Sequence, residues 1–333
     1  MRQSASRLRL LAALRVAFVI TLAALAAGPA YLGDSHLGLL TEFYCMLVLA
    51  IMWNLVAGYA DIATVGQHAF VGVGAYAFFG FAAIAELDPF LSIPLASLVA
   101  LVIAVPAMFL VFRLRTAYLS IGTWVIAEVL MLTAGKIEIF GGGSGTSLPV
   151  EIVRAFGSTR TARLSTIYWL AFALVVLGFA ATYLLLRSRI GLGLMAMRDN
   201  EESAGSVGVD VVNSRIICFL GTAPFLGAAG ALIALQKLRI SPSSSFSIAD
   251  WTVLVIFNVV IGGIGSIEGP IIGTIVFFVL REYLSDLGAW SLILLGVVSI
   301  TIILVEPRGI WGMIRRFLPD DVVPTGHKPP RGA

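Results

Sequence analysis

Apolar runs long enough to cross hydrocarbon recur along the whole chain, and a helix needs about 20 apolar residues to span about 30 Å of bilayer core. Ten runs lie at 10–30, 37–57, 65–85, 91–112, 117–134, 166–186, 216–236, 248–262, 268–284 and 288–305. Composition agrees: 59% of the residues are A, V, I, L, M, F, W, Y or C, only 12% are charged, and the mean hydropathy is +0.98. The expected fold is an all-α polytopic membrane protein with about ten membrane segments. Runs 248–262 and 268–284, which flank GGIGSIEG, are short; they read as two crossings, as tilted or discontinuous helices, or as a re-entrant pair.

The first run follows basic residues, as a secretory signal does, but it exceeds a signal core and further spans follow at once, so it reads as the first transmembrane helix. Residues 1–9 then form a cytosolic N-terminal segment, 10–306 the transmembrane domain, and 307–333 a basic, proline-containing cytosolic tail without a folded domain. Arginines set the orientation. Arg2, Arg7, Arg9, Arg15, Arg113, Arg115, Arg187, Arg189, Arg198, Arg215, Arg308, Arg315, Arg316, Lys328 and Arg331 fall on the side of both termini. The opposite side receives the smaller set Lys136, Arg154, Arg160, Arg163, Lys237, Arg239 and Arg281. This positive-inside bias puts loop 187–215 in the cytosol and 135–165 outside. Basic residues spread over short loops also exclude a nucleic-acid surface.

The loop RSRIGLGLMAMRDNEESAGSVGVDVVNSR, 187–215, is the one long polar interruption between spans on the cytosolic side. Its middle, 194–206, reads as a short amphipathic helix. Leu194, Met195 and Met197 form the apolar side, while Arg198, Asp199, Asn200, Glu201 and Glu202 face water. A rigid cytosolic helix between two spans can carry force from a soluble partner into the membrane.

Two glycine-rich stretches interrupt the apolar pattern: NLVAGYADIATVGQHAFVGVGAY, 54–76, and FNVVIGGIGSIEGPIIG, 257–273. An opened helix in hydrocarbon must satisfy its freed backbone groups through protein or water, so such breaks line a bundle interior or a polar path. The candidate passage residues are Asn54, Gly58, Gln67, His68, Asn258, Gly262, Gly263 and Gly265, with Asp61 and Glu268 nearby. The structural alternative is that these groups cap helices or bind one another.

Chemistry on the chain itself is poorly supported. GxxxxGK[ST] is absent, and the three histidines, His36, His68 and His327, are scattered. Cys45 and Cys218 sit inside spans and read as apolar filler. Ser144 in GGGSGT belongs to a flexible external loop. Glu128 in WVIAEVL reads as a buried helix-to-helix hydrogen-bonding group. An autonomous ion-coupled carrier and a non-transporting membrane scaffold are the competing readings.

Taken in order, NLVAGYADIATVGQHAFVGVGAY, YLSIGTWVIAEVL at 118–130 and GGIGSIEGPIIG resemble the permease subunits of branched-chain amino acid ABC transporters of the LivM type. The resemblance runs from the second span to the tenth. It implies a permease subunit, not an enzyme, of an ATP-driven importer for leucine, isoleucine and valine in the bacterial inner membrane. Related importers of urea or short amides are the alternative. The implied partners are a second, LivH-like permease, two cytosolic ATPases that hold ATP and Mg, and an extracytoplasmic binding protein; this chain itself holds no cofactor. GLGLMAMRDNEESAGSVGV resembles the coupling segment, which assigns Arg198, Asp199, Glu201, Ala204 and Gly208 to ATPase coupling. The chain departs from that pattern at Leu192, where a basic residue is frequent, and at Gly205, where an acidic one is frequent.

Overall fold

A computed structural model describes residues 24–114, 116–284, 288, 290–306 and 308–316. The helices are α1, Asp34–Asn54; α2, His68–Phe79; α3, Pro89–Val111; α4, Thr116–Lys136; α5, Val150–Ala155; and α6, Arg160–Arg187. There follow α7, Arg189–Asp199; α8, Glu201–Ser206; α9, Val211–Lys237; α10, Pro242–Ser245; α11, Leu254–Gly262; α12, Gly269–Leu284; α13, Trp290–Val305; and α14, Gly309–Arg315.

Six helical stretches among the described residues are long and apolar enough to cross a membrane: Asp34–Tyr59, Pro89–Val111, Tyr118–Lys136, Arg160–Arg187, Val211–Lys237 and Pro242–Gly262. The remaining expected segments are shorter. Segment 65–85 is an apolar helix only from His68 to Ile84, because 60–67 is an irregular connection, with Asp61 at φ +53. Helices α12 and α13 have 16 residues each, about 24 Å at 1.5 Å per residue. Most of segment 10–30, all of 1–9 and tail residues 317–333 lie outside the described residues.

Helices α1 and α9 run through the interior: 78% and 67% of their most apolar windows are buried, against 28% or less in α3, α4 and α6. The last three turn Val102, Phe109, Val129, Leu132, Leu177 and Leu184 outward, apolar surface that suits lipid and not water. Helix α9 packs on α3, α2, α1 and α6. Small residues permit this: a Cβ on Gly74 of α2 would collide with the Gly227 backbone of α9.

Loop 135–165 is folded and docked, not the open external loop expected around Ser144. Strand β1, Thr146–Ser147, pairs antiparallel with β2, Arg239–Ile240. Arg239 donates to the Ser144 carbonyl at 2.8 Å, and Phe156 beyond α5 packs at a tilt against Phe90 at the start of α3, ring centroids 4.6 Å apart. Glu128 differs from its expected role as well. Its Oε1 accepts from Trp124 Nε1 at 3.1 Å one turn earlier in α4, so the bond lies within one helix.

Candidate functional site

Asn54 closes α1, and the chain widens there into a π turn, Leu55–Tyr59, with Ala60 N–H donating to the Leu55 carbonyl at 3.3 Å. Beyond it, 60–67 is irregular: Ala60 lies at φ −90 and ψ 0, Asp61 at φ +53, and Thr64 N–H donates to the Ile62 carbonyl at 2.8 Å, while Ala60, Ile62, Thr64, Gly66 and Gln67 are buried. Its polar backbone is met by side chains inside the bundle, as hydrocarbon requires. Trp53 Nε1 donates to the Thr64 carbonyl at 2.9 Å, Val65 N–H donates to Thr123 Oγ1 at 3.1 Å, and Ser120 Oγ donates to the Ala63 carbonyl.

The two glycine-rich breaks meet at the Asn54 end of α1. Asn54 Nδ2 donates to the Ser266 carbonyl at 2.8 Å, while Gly265 N–H donates to Asn54 Oδ1 at 2.8 Å. One carboxamide thereby clamps the turn between α11 and α12. Gly265 has φ +72 and Gly263 φ +125, conformations that glycine reaches without Cβ strain. Gly58 approaches the same turn so closely that a Cβ there would lie 2.6 Å from Gly265 N. Ser266 completes the turn: its Oγ donates to the Gly263 carbonyl at 2.7 Å and accepts from Gly269 N–H at 3.1 Å at the start of α12.

The central loop closes on this clamp. Arg198 Nη1 donates to the Gly265 carbonyl at 2.8 Å, and its guanidinium lies over the Tyr59 ring, 5.7 Å from the centroid. Arg215 grips Glu201 with both terminal nitrogens, at 2.8 and 2.9 Å. It also donates from Nε to the Ala60 carbonyl at 3.1 Å and stands 3.9 Å from Asp61. Both breaks and the loop therefore form one hydrogen-bonded group.

The loop's shape corrects the expectation of a single helix over 194–206. The chain breaks at Asn200, φ −163 and ψ 113, into α7 and α8. Asn200 Oδ1 accepts from Ser203 N–H at 2.8 Å, and Glu201 and Glu202 occupy the first turn of α8. An asparagine cap followed by acids favours a new helix start over continuation. The apolar side also points inward: Leu194, Met197 and Ala204 are buried against this chain's own bundle. Of the coupling candidates, Asp199 and Gly208 face outward, Glu201 is tied to Arg215, Arg198 is tied to Gly265, and Ala204 is covered. Arg198 and Glu201, expected to share one face, diverge to different partners.

The passage candidates do not form one cluster. Asn54, Gly58, Gly263 and Gly265 come together; Gly262 packs on the backbone of Gly269 and Gly273. Gln67 and His68 reach another π turn, Ala249–Val253: Gln67 Nε2 donates to the Trp251 carbonyl at 2.6 Å, and His68 Nδ1 is 2.9 Å from Thr252 Oγ1. Asn258, on α11, is fully buried, and neither polar atom of its side chain has a hydrogen-bond partner among the described residues; Gln67 Oε1 and His68 Nε2 share that condition. Buried polar atoms are nearly always paired; Tyr76 Oη and, outside the breaks, Thr182 Oγ1 on α6 share the condition, so four of the five residues concerned lie in or beside the broken segments. Sequence reasoning did not single out Tyr59, Ser266, Trp251 or Thr252. Only Arg215 gave a local signal, as the basic residue that ends the polar loop.

Residues 35–305 match the family described as branched-chain amino acid transport system / permease component. The chain belongs to this permease family. The permease is 29% identical over 323 residues to the high-affinity branched-chain amino acid transport system permease protein LivM of Escherichia coli strain K12, covering 90% of this chain and 75% of the relative. With the LivM protein of Salmonella typhimurium the identity is 28% over 305 residues, covering 85% and 71%. The probable LivH permease of Methanocaldococcus jannaschii is 22% identical over 299 residues, covering 82% and 91%. No solved structure matches the permease. The matched region contains both glycine-rich breaks, α7, α8 and all their mutual contacts.

Proposed function

We propose that this chain is a permease subunit of an ATP-driven importer for branched-chain amino acids, working beside a second, LivH-like permease in a bacterial inner membrane with both termini cytosolic. Two cytosolic ATPases bind Mg and ATP and hydrolyse the nucleotide, and an extracytoplasmic binding protein delivers the amino acid. The observation that carries this reading is the family match over 35–305, which spans the breaks and the central loop together. The coupling proposal is narrower than the sequence suggested. The ATPase meets the outward surface of α7 and α8, including Leu192, Asp199, Glu202 and Val207, all exposed. Arg198, Glu201 and Arg215 then pass displacement of the loop to the clamp around Gly265 and to the start of segment 60–67.

Reconstitution tests this. Vesicles holding both permeases, both ATPases and the binding protein take up leucine only with internal ATP; this chain alone under a sodium or proton gradient takes up none. Uptake by the isolated chain under an ion gradient would establish the carrier reading. Uptake of urea but not leucine by the full complex would move the substrate class.

A further inference from the structure

At the Glu42 end of the bundle, opposite the Asn54 clamp, a cavity of about 610 Å³ opens between α1, α9, the segment around Trp251 and α12. Its volume lies within the range of small-molecule sites. Its construction is regular. Each of the four segments supplies one charged residue and, four positions away on the same helical face, one apolar residue: Glu42 with Met46, Lys237 with Ile233, Asp250 with Leu254, and Arg281 with Phe277. Helices α1 and α12 run in opposite directions, yet in every pair the charge lies on the turn towards the loops and the apolar residue on the turn towards the interior. The result is a rim of two acids and two bases above an apolar floor, where Met46, Ile233 and Phe277 are buried.

The rim charges are not equivalent. Arg281 Nη1 holds Glu42 Oε1 at 2.7 Å. Asp250 and Lys237 make no ion pair among the described residues. Lys237 Nζ stands over the Trp251 ring, 4.7 Å from its centroid, and Asp250 is half-buried beside that tryptophan. A net-neutral rim with one carboxylate and one ammonium left over, above an apolar floor, is complementary to a ligand with one charge of each sign and an aliphatic body.

We propose that this cavity is a binding site for a zwitterionic aliphatic amino acid, with Asp250 receiving its ammonium, Lys237 its carboxylate, and the Met46, Leu254 and Phe277 floor its side chain. The site rests on the transport reading above and adds to it a place on this chain where the substrate pauses. Trp251 joins the site to the break, because its carbonyl accepts the Gln67 hydrogen bond at 2.6 Å. Segment 60–67 then leads from Gln67 to Ala60 and Asp61, which face Arg215 at the other end.

The experiment measures radiolabelled L-leucine binding to the assembled permease–ATPase complex in nanodiscs without the binding protein, and in parallel ATP-dependent leucine uptake by the complete system. The expected result is saturable binding that weakens about tenfold or more in Asp250→Asn and in Lys237→Gln, since a charge-assisted hydrogen bond is worth at least one decade of affinity. Leu254→Trp, which fills the floor without touching the charges, abolishes binding. In the wild-type complex 4-methylpentanoate, which lacks the ammonium, and isoamylamine, which lacks the carboxylate, fail to compete. Assembly and basal ATP hydrolysis of each variant report folding. Wild-type binding in all three variants, competition by 4-methylpentanoate equal to leucine, or uptake with no binding overturns the site. Binding that depends on Asp250 in a complex that takes up no leucine retains the site and overturns the transport reading. Neither binding nor uptake overturns both.

Discussion

Arg198 and Gly265 are 67 positions apart, yet the arginine Nη1 donates to the glycine carbonyl at 2.8 Å, so the central loop is fastened to the turn between α11 and α12 by a charge-assisted bond. The opposite face of the same peptide region is held by Asn54, whose Oδ1 accepts from Gly265 N–H. A displacement of α7 therefore reaches a backbone turn that is already fixed to α1. Since the side chain of Arg198 is 40% exposed, the bond contributes about 1 kcal/mol, reduced from its buried value by solvent. Arg198→Gln is expected to insert normally and change thermal stability little. Leucine-stimulated ATP hydrolysis in the full complex should fall well below wild type while basal hydrolysis persists. Wild-type stimulation in Arg198→Gln would show that the loop acts without this bond.

Asn54 is 3% exposed and satisfies two backbone groups of the turn at once. Removing it leaves the Gly265 N–H and the Ser266 carbonyl short of partners, a loss of about 1–3 kcal/mol for each buried group left unpaired. Asn54→Ala should lower the unfolding temperature of the detergent-solubilised protein distinctly more than Arg198→Gln. Asn54→Asp keeps an acceptor for Gly265 but has no donor for Ser266 and buries a charge, so it should not rescue stability. Thermal unfolding of the three variants side by side gives the order directly, and equal stability of Asn54→Ala and wild type would remove the clamp from the account.

Much of the architecture was legible because hydrocarbon imposes a length and a composition. Helices α1, α3, α4, α6 and α9 lie where long apolar runs placed them. The interruptions were also visible, since Gly58, Gly263 and Gly265 stand out in otherwise helical patterns. Their mutual contact was not, because Asn54 and Ser266 are 212 positions apart and neither carries a periodic signal for the other. The inward burial of Met197 was not legible for a related reason. An amphipathic pattern shows that a helix has an apolar side but says nothing about whether that side faces its own chain or a partner. The break at Asn200, by contrast, was encoded locally: Asn-Glu-Glu-Ser carries the side-chain acceptor and the acids that start a helix, and the apolar residues before it drew attention away.

The orientation proposed from the arginine distribution is open to labelling. In a background where the buried Cys45 and Cys218 are replaced by alanine, a cysteine at the exposed Ser203 should react with an impermeant maleimide only from the cytosolic side. A cysteine at the exposed Ser147 should react only from outside. Reaction of both from the same side would break the assignment that an odd number of crossings separates loop 135–165 from loop 187–215.

The contact between Glu201 and Arg215 gives the sharpest test of how the loop reaches the first break. The pair is bidentate, with side chains 45% and 21% exposed respectively, so its coupling energy is about 1 kcal/mol or less. Arg215 has a second duty: Nε donates to the Ala60 carbonyl at 3.1 Å, where segment 60–67 begins. The two duties separate under substitution. Glu201→Gln removes the ion pair but leaves the Ala60 contact, and a modest fall in transport is expected. Arg215→Glu removes both and places two acids together beside Asp61, so transport and assembly should suffer far more. The exchanged double variant, Glu201→Arg with Arg215→Glu, restores opposite charges without a donor to Ala60. Its uptake should therefore recover above Arg215→Glu yet stay below Glu201→Gln. Full recovery in the exchanged variant would mean that the ion pair alone carries the link, and no recovery at all would mean that the Ala60 contact does.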